Sequence, residues 1–279
     1  MELMLPALVA SLVLVGMHSY LGIHIIARGV IFVDLALAQV AALGWTIASL
    51  GLGDPLAAAL GISPAAASYV VGLAATLVGA ALFSVSRVDD RFIPQEAIIG
   101  IVYVVASAAT ILLAAQAPRG SEHVEELLTG TLLWVTWPHI ALVAAIYVVI
   151  GAAHWFLRNR FLTISLEPEE AREKGWRLRG WDFLFYALFG MVVTLSVAIV
   201  GVLLVFSFLV IPAVVAFLFT RRPGPLLAIA WTMGSLTTVG GLVVSFRTDL
   251  PTGPTIVCAF GIALMLAFGV RKLVRRRTA

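Results

Sequence analysis

The chain has 279 residues, of which 61% are apolar and only 12% charged, and its mean hydropathy is +1.06. Soluble domains carry about 25% charged residues, and several apolar runs here reach the roughly 20 residues of a membrane span; soluble, fibrous, disordered and disulfide-stapled classes are therefore excluded. The net charge of +3 has no cluster on a soluble face that would suit nucleic acid, and the single cysteine, Cys258, excludes both a disulfide framework and a thiolate metal cluster.

What remains is an all-α polytopic membrane protein. The N-terminus carries Glu2 and no basic residue before its apolar run, so it does not read as a cleaved secretory signal, and the first span is expected to be retained. Apolar runs between charged clusters predict spans at 5–26, 30–52, 62–85, 95–116, 138–157, 182–200, 203–220, 224–246 and 254–271. When the connections are placed alternately on two sides, all but two of the 18 basic residues, Arg119 and Arg247, fall on one side. The positive-inside rule then puts the V-R-K-L-V-R-R-R tail in the cytoplasm and the N-terminus outside, in a multi-pass protein of the cell membrane.

The stretch 183–219 has no charge and basic clusters at both ends, so it must leave and return to the same side. It is expected as a hairpin or re-entrant pair turning near Gly201, which makes eight or nine helices in a single domain covering 1–279. Irregular backbone at membrane depth must be buried in protein. No internal sequence repeat of the kind common in secondary transporters is visible.

Ionisable groups inside a span mark functional sites by default, because each costs several kcal/mol unless it is paired or wetted. The first predicted span carries His18 and His24, the second Asp34 and Gln39, and the fourth opens with Gln95 and Glu96. A tight turn at Arg28 and Gly29 sets His24 at the depth of Asp34 and His18 at that of Gln39. A carboxylate with imidazoles suits zinc, manganese or iron on a polar path. The competing expectation is that His24 and Asp34 satisfy one another and that His18 bonds a backbone carbonyl.

Two connections are long. The inner one, 158–181, contains E-P-E-E-A-R-E-K-G: proline for a first helical turn, acids at the N-terminal end and Gly175 as the stop. It reads as a short charged helix, either merely solvated or docked to a cytoplasmic partner. The outer one, 117–137, has leading acids and trailing Leu132, Leu133, Trp134 and Trp137, which describes an interfacial amphipathic segment. His123 and Glu126 share a helical face there, but two ligands do not close a metal site.

Five segments stand in order along the chain: R-G-V-I-F-V-D-L-A-L-A-Q-V-A-A-L-G from Arg28, E-A-I-I-G-I from Glu96, E-L-L-T-G-T-L-L-W-V-T, V-G-V-L-L-V-F-S-F-L-V-I-P-A-V-V-A and D-L-P-T-G-P. Together they resemble the permeases of ATP-binding-cassette importers of divalent metals, the zinc and manganese uptake family, in which the first two read R-R-M-S-x-x-G-D-x-L-x-H-A-x-x-x-G and D-T-x-x-G-I. The resemblance implies a homodimeric permease in the lipid bilayer, served by a cytoplasmic ATPase and an extracytoplasmic metal-binding protein, with the metal as cargo and no prosthetic group. It further implies a pathway lined by Ser207, Ile211 and Pro212 and ATPase coupling through Glu169, Glu170, Ala171 and Gly175; the residues themselves offer Asp34, Gln39, Glu96, His18 and His24 as metal contacts, and the missing N–H of Pro212 favours a break there. Glycine-rich G-x-x-x-x-G-K-[ST] is absent, so the chain is expected not to be the ATPase itself. One departure stands out: Gln39 occupies the family's His register, and Asp34 lies one residue early, with Leu35 in the Asp register. The alternatives are a cobalamin or siderophore permease, a proton-coupled secondary transporter, and a membrane-embedded hydrolase using His123, Glu126 or His139.

Overall fold

A computed structural model describes residues 4–86, 94–116 and 128–278, with side chains through Val274. Among them the chain is helical throughout, without strands. The helices are α1 (Met4–Arg28), α2 (Val33–Ile47), α3 (Gly53–Leu60), α4 (Pro64–Val85), α5 (Gln95–Ala114), α6 (Trp137–Leu166), α7 (Pro168–Glu173), α8 (Leu178–Phe219), α9 (Pro223–Thr248) and α10 (Thr252–Thr278). A π-helical turn, Ala48–Leu52, joins α2 to α3, and a 3-10 turn, Leu132–Trp134, precedes α6. Among the described residues eight segments are long and apolar enough to cross a membrane, α2 and α3 counting as one of 28 residues. This is the lower of the two counts expected from sequence.

The chain divides into two compact units. The first comprises Met1–Arg28, Thr129–Trp155 and Ile199–Ala279, and the second Gly29–Leu128 and Phe156–Ala198. Thus α6 and α8 each contribute to both.

In the first unit α1 packs on α9, and α9 on α10. Small residues allow the approach: a Cβ at Gly22 would lie 1.9 Å from the carbonyl oxygen of Leu209, so α1 meets the backbone of α8 directly. The Trp231 indole N–H donates to the Gly16 carbonyl at 2.8 Å, tying α9 to the middle of α1. The D-L-P-T-G-P segment is the turn between α9 and α10. Asp249 takes a left-handed φ of 57°, Leu250 N–H returns to the Ser245 carbonyl at 3.3 Å, and the Ser245 hydroxyl bonds Thr252 at 3.0 Å.

α8 is where the hairpin was expected. It is helical on both sides of one non-helical residue, Gly201, with φ 75° and ψ 164°. That conformation is open to glycine and strained for other residues. The break is buried, and Thr131 N–H donates to the Ile199 carbonyl at 3.0 Å, so the interrupted ladder is satisfied from within the unit. Gly130 makes room for this contact, since a Cβ there would lie 2.2 Å from the Val200 carbonyl carbon. Pro212 does not break the helix as expected: α8 runs through it with helical backbone angles, and the interruption stays at Gly201.

In the second unit α2 packs on α4 and α5. Ser63 caps α4 by accepting the Ala66 N–H at 3.2 Å, with Pro64 in the first turn. Thr76 and Thr194 bond each other at 3.0 Å between α4 and α8. Helix α6 continues to Leu166, well past the predicted end at 157. Hydropathy marks where the apolar layer ends, whereas the helix persists because Phe161 and Ile164, one turn apart, are buried.

Candidate functional site

Asp34 lies in the first turn of α2, fully buried, and neither carboxylate oxygen has a hydrogen-bond partner. The positive end of the helix dipole offsets about 0.3–2 kcal/mol at such a position. A bare carboxylate in an apolar span costs several kcal/mol, so the dipole alone does not account for it. Gln39, further along α2, is also buried.

Glu96 opens α5, in the same unit. Its Oε1 accepts the backbone N–H of Phe32 at 3.0 Å, and Phe32 is the residue that leads into α2. The carboxylate therefore supplies the cap that α2 lacks locally. Its Oε2 is buried without a partner. The neighbouring Gln95 is taken up in structure: its amide donates to the Phe83 carbonyl at 2.9 Å and to the Tyr186 hydroxyl at 3.5 Å.

His18 and His24 belong to the first unit, the other three candidates to the second. His18 Nδ1–H donates to the Leu14 carbonyl at 2.8 Å, as expected for a packed histidine, which leaves Nε2 as a buried, unpartnered lone pair. His24 stands edge-on to Tyr20 with ring centroids 4.9 Å apart, and 6.3 Å from the ring of His154 on α6. The Tyr20 hydroxyl bonds His154 Nδ1 at 3.4 Å. His154, buried within α6, escaped the sequence reading because it lies close to the charged end of its predicted span. Spacing held the signal: Tyr147 and His154 are two turns apart and Tyr20 and His24 one, so each pair shares a helical face. Among the described residues no group of three or more His, Cys, Asp or Glu side chains is disposed to hold a metal ion.

The pathway candidates lie on α8 in the first unit. Ser207 turns its hydroxyl back onto the Leu203 carbonyl at 2.9 Å, and Pro212 is buried opposite Gly234 of α9. His139, at the start of α6, is half-buried, while His123 and Glu126 lie outside the described residues.

The inner connection folds as its sequence indicates. Pro168 starts α7, and the helix ends at Gly175 (φ 68°) with Gly175 N–H bonded to the Arg172 carbonyl at 2.9 Å and Trp176 N–H to Ala171 at 3.1 Å, a Schellman close. Ala171 is buried; Glu169 pairs with Arg172 at 3.2 Å, and Glu170 with Lys174. The hydrogen bond that a protonated Glu167 donates to Glu170 raises the Glu167 carboxyl above its ordinary range, while Lys174 holds Glu170 below it. The helix thus presents an ordered, charged outer surface.

The model of the family described as "ABC 3 transport family" matches residues 1–271. The chain belongs to the ABC 3 transport family. Among its relatives is the High-affinity zinc uptake system membrane protein ZnuB of Haemophilus influenzae, 23% identical over 97% of this chain and 98% of that one. A second is the Manganese transport system membrane protein MntC of Listeria monocytogenes, 26% identical over 78% and 79%. With a Probable metal transport system membrane protein of Chlamydia muridarum the identity is 23%, over 64% of this chain and only 61% of the relative's length. In the solved structure of PsaBC from Streptococcus pneumoniae in complex with Fab, one chain shares the ABC 3 fold seen here: TM-score 0.76 at 20% identity, over 96% of this chain and 91% of that one.

Proposed function

We propose that this family member is the membrane-spanning permease of an ATP-binding-cassette importer of a divalent transition metal, with zinc as the leading cargo and manganese or iron as alternatives. One observation carries the reading: Asp34 is a fully buried carboxylate with neither oxygen bonded. A passing cation offsets the cost of that group, and the relatives named for zinc uptake and manganese transport supply the cargo class. Within the same unit Glu96 offers its second oxygen as a further donor and Gln39 is a buried polar group on the same helix as Asp34; the first unit carries His18, whose Nε2 is unpartnered, and His24. So few ligands from one chain suit an ion that must leave again, its remaining positions being filled by water or by a second copy of the chain.

ATP hydrolysis takes place on a separate cytoplasmic subunit, since the sequence lacks a phosphate loop. α7 is the docking element, through Glu169, Glu170 and the turn at Gly175, with Ala171 seating it from beneath. Metal arrives from an extracytoplasmic binding protein, and the C-terminus is cytoplasmic. The ATPase cycle biases two access states that differ in metal affinity, because a ligand bound equally by both shifts nothing. Ser207 and Pro212 line the route.

The test is a multi-element inventory of cells with and without this permease, alongside its ATPase and binding protein, including the Asp34→Asn, Glu96→Gln double mutant. Loss of one transition metal on deletion, reproduced by the double mutant, is the expected result. No change in any metal would move the reading to an organic or chelated cargo, and transport without the ATPase to a proton-coupled carrier.

A further inference from the structure

Arg160 sits on the part of α6 that extends beyond the predicted span. Its guanidinium carbon lies 4.9 Å from the ring centre of Trp176 and 4.9 Å from that of Trp181. Trp176 is the residue whose N–H closes α7, and Trp181 lies in the first turn of α8. A single side chain of α6 therefore joins the end of the coupling segment to the start of the next long helix. Lys174, which pairs with Glu170, also approaches the Trp176 ring, at 5.6 Å.

The contact continues inward on aromatic rings, all within the second unit. Phe161, adjacent to Arg160 and fully buried, stands edge-on to Trp181 at 6.1 Å and to Phe185 at 5.6 Å. Phe185 stacks on Phe189 at 6.1 Å with 7° between planes. Trp181, Phe185 and Phe189 recur every four residues, so they form one stripe along α8. Tyr186 next to them meets Phe83 of α4 at 6.2 Å and receives the Gln95 amide of α5. Rings packed in this way have few alternative arrangements.

We propose that Arg160, held between Trp176 and Trp181, is the positioning residue that pins α7 to α6 and α8, so that a force on α7 reaches the aromatic stripe as a rigid displacement. This rests on the permease reading above, in which α7 receives the ATPase. A planar guanidinium with its carbon 4.9 Å from both ring centres can offer a face to each indole, whereas a lysine ammonium is a compact, strongly hydrated charge that does not stack. Cation–π contacts with two rings also leave the guanidinium edge free for water, which fits its position outside the apolar layer.

The test uses the assembled transporter in sealed vesicles, measuring ATP hydrolysed per Zn²⁺ or Mn²⁺ taken up. Arg160→Lys and Trp176→Ala are expected to raise that ratio at least tenfold while ATP hydrolysis stays within twofold of wild type. Trp176→Phe keeps an aromatic face and is expected to keep the ratio within twofold. An unchanged ratio in Arg160→Lys would overturn the pin, because charge alone would then suffice. A second readout needs neither metal nor ATPase: trypsin cleavage after Lys174 in the solubilised full chain should be at least fivefold faster in Arg160→Lys than in wild type, and equal rates would likewise overturn it. If the wild-type complex takes up neither metal with ATP, the permease reading fails, and the trypsin comparison still decides the pin.

Discussion

The two imidazoles of α1 and the Asp34 carboxylate at the start of α2 are buried to the same degree but are accommodated differently. On α1, His18 bonds the carbonyl one turn below, and His24 stands among the rings of Tyr20 and His154. Each imidazole is placed by its own unit. On α2, Asp34 has no bonded oxygen at all, and its unit supplies a partner only to Glu96, through Phe32 N–H. Imidazole is neutral in its resting form and tolerates burial on one hydrogen bond, whereas a carboxylate does not. A carboxylate left without partners in an apolar span is a functional candidate by default. On the proposed reading, the difference separates a packing role for the His24, Tyr20 and His154 face from cargo contact at the carboxylate.

The sharpest way to break this comparison is Asp34→Asn. Metal uptake is expected to fall roughly 100-fold, the equivalent of about 2.7 kcal/mol of lost interaction, while thermal unfolding shows a gain of about 1–3 kcal/mol as a buried charge is removed. Destabilisation by that substitution would reveal a structural partner and erase the distinction. Next comes Glu96→Gln. Its carbonyl can still accept the Phe32 N–H, so uptake should drop about tenfold, equivalent to roughly 1.4 kcal/mol, and stability by about 0.5–1 kcal/mol for the weakened cap. A loss of stability without a loss of uptake would confine Glu96 to capping.

Much of this contrast was legible in the sequence, and the part that was not has a physical reason. Asp34 and His18 stood out because charge and imidazole are rare in apolar runs. Gly201 stood out because a charge-free stretch twice the length of a span requires a break. The cap that Glu96 provides was hidden, since it joins positions 64 residues apart and no local rule connects them. Pro212 misled because proline weakens a helix without having to end it, and here the break was taken by glycine, whose backbone reaches φ 75° without strain. The extension of α6 to Leu166 was missed for a related reason: the arginines at 158 and 160 end the apolar layer but are good helix formers.

A third substitution probes the intermediate case. His18→Phe fills the same space and deletes both ring nitrogens, so stability should change by less than about 1 kcal/mol, one neutral hydrogen bond being exchanged for apolar burial. Uptake should fall about threefold, or roughly 0.65 kcal/mol, if its Nε2 serves the cargo as a secondary donor. Measured together by uptake assay and thermal melt, the two numbers separate a ligand from a packing residue.

The smallest effect is expected at His24. Its ring stands edge-on to Tyr20 and lies beside His154, and these ring contacts are ones that an aromatic hydrocarbon reproduces. His24→Phe should therefore leave uptake within about twofold and stability within about 1 kcal/mol of wild type. Tyr20→Phe in the same background should be equally mild if the ring edges carry the packing, because the hydroxyl bond to His154 is long at 3.4 Å. If instead either substitution removed uptake as completely as Asp34→Asn, the aromatic face of α1 would have to be counted with the cargo route, and burial of a neutral imidazole could no longer be taken as a sign of structural use in this fold.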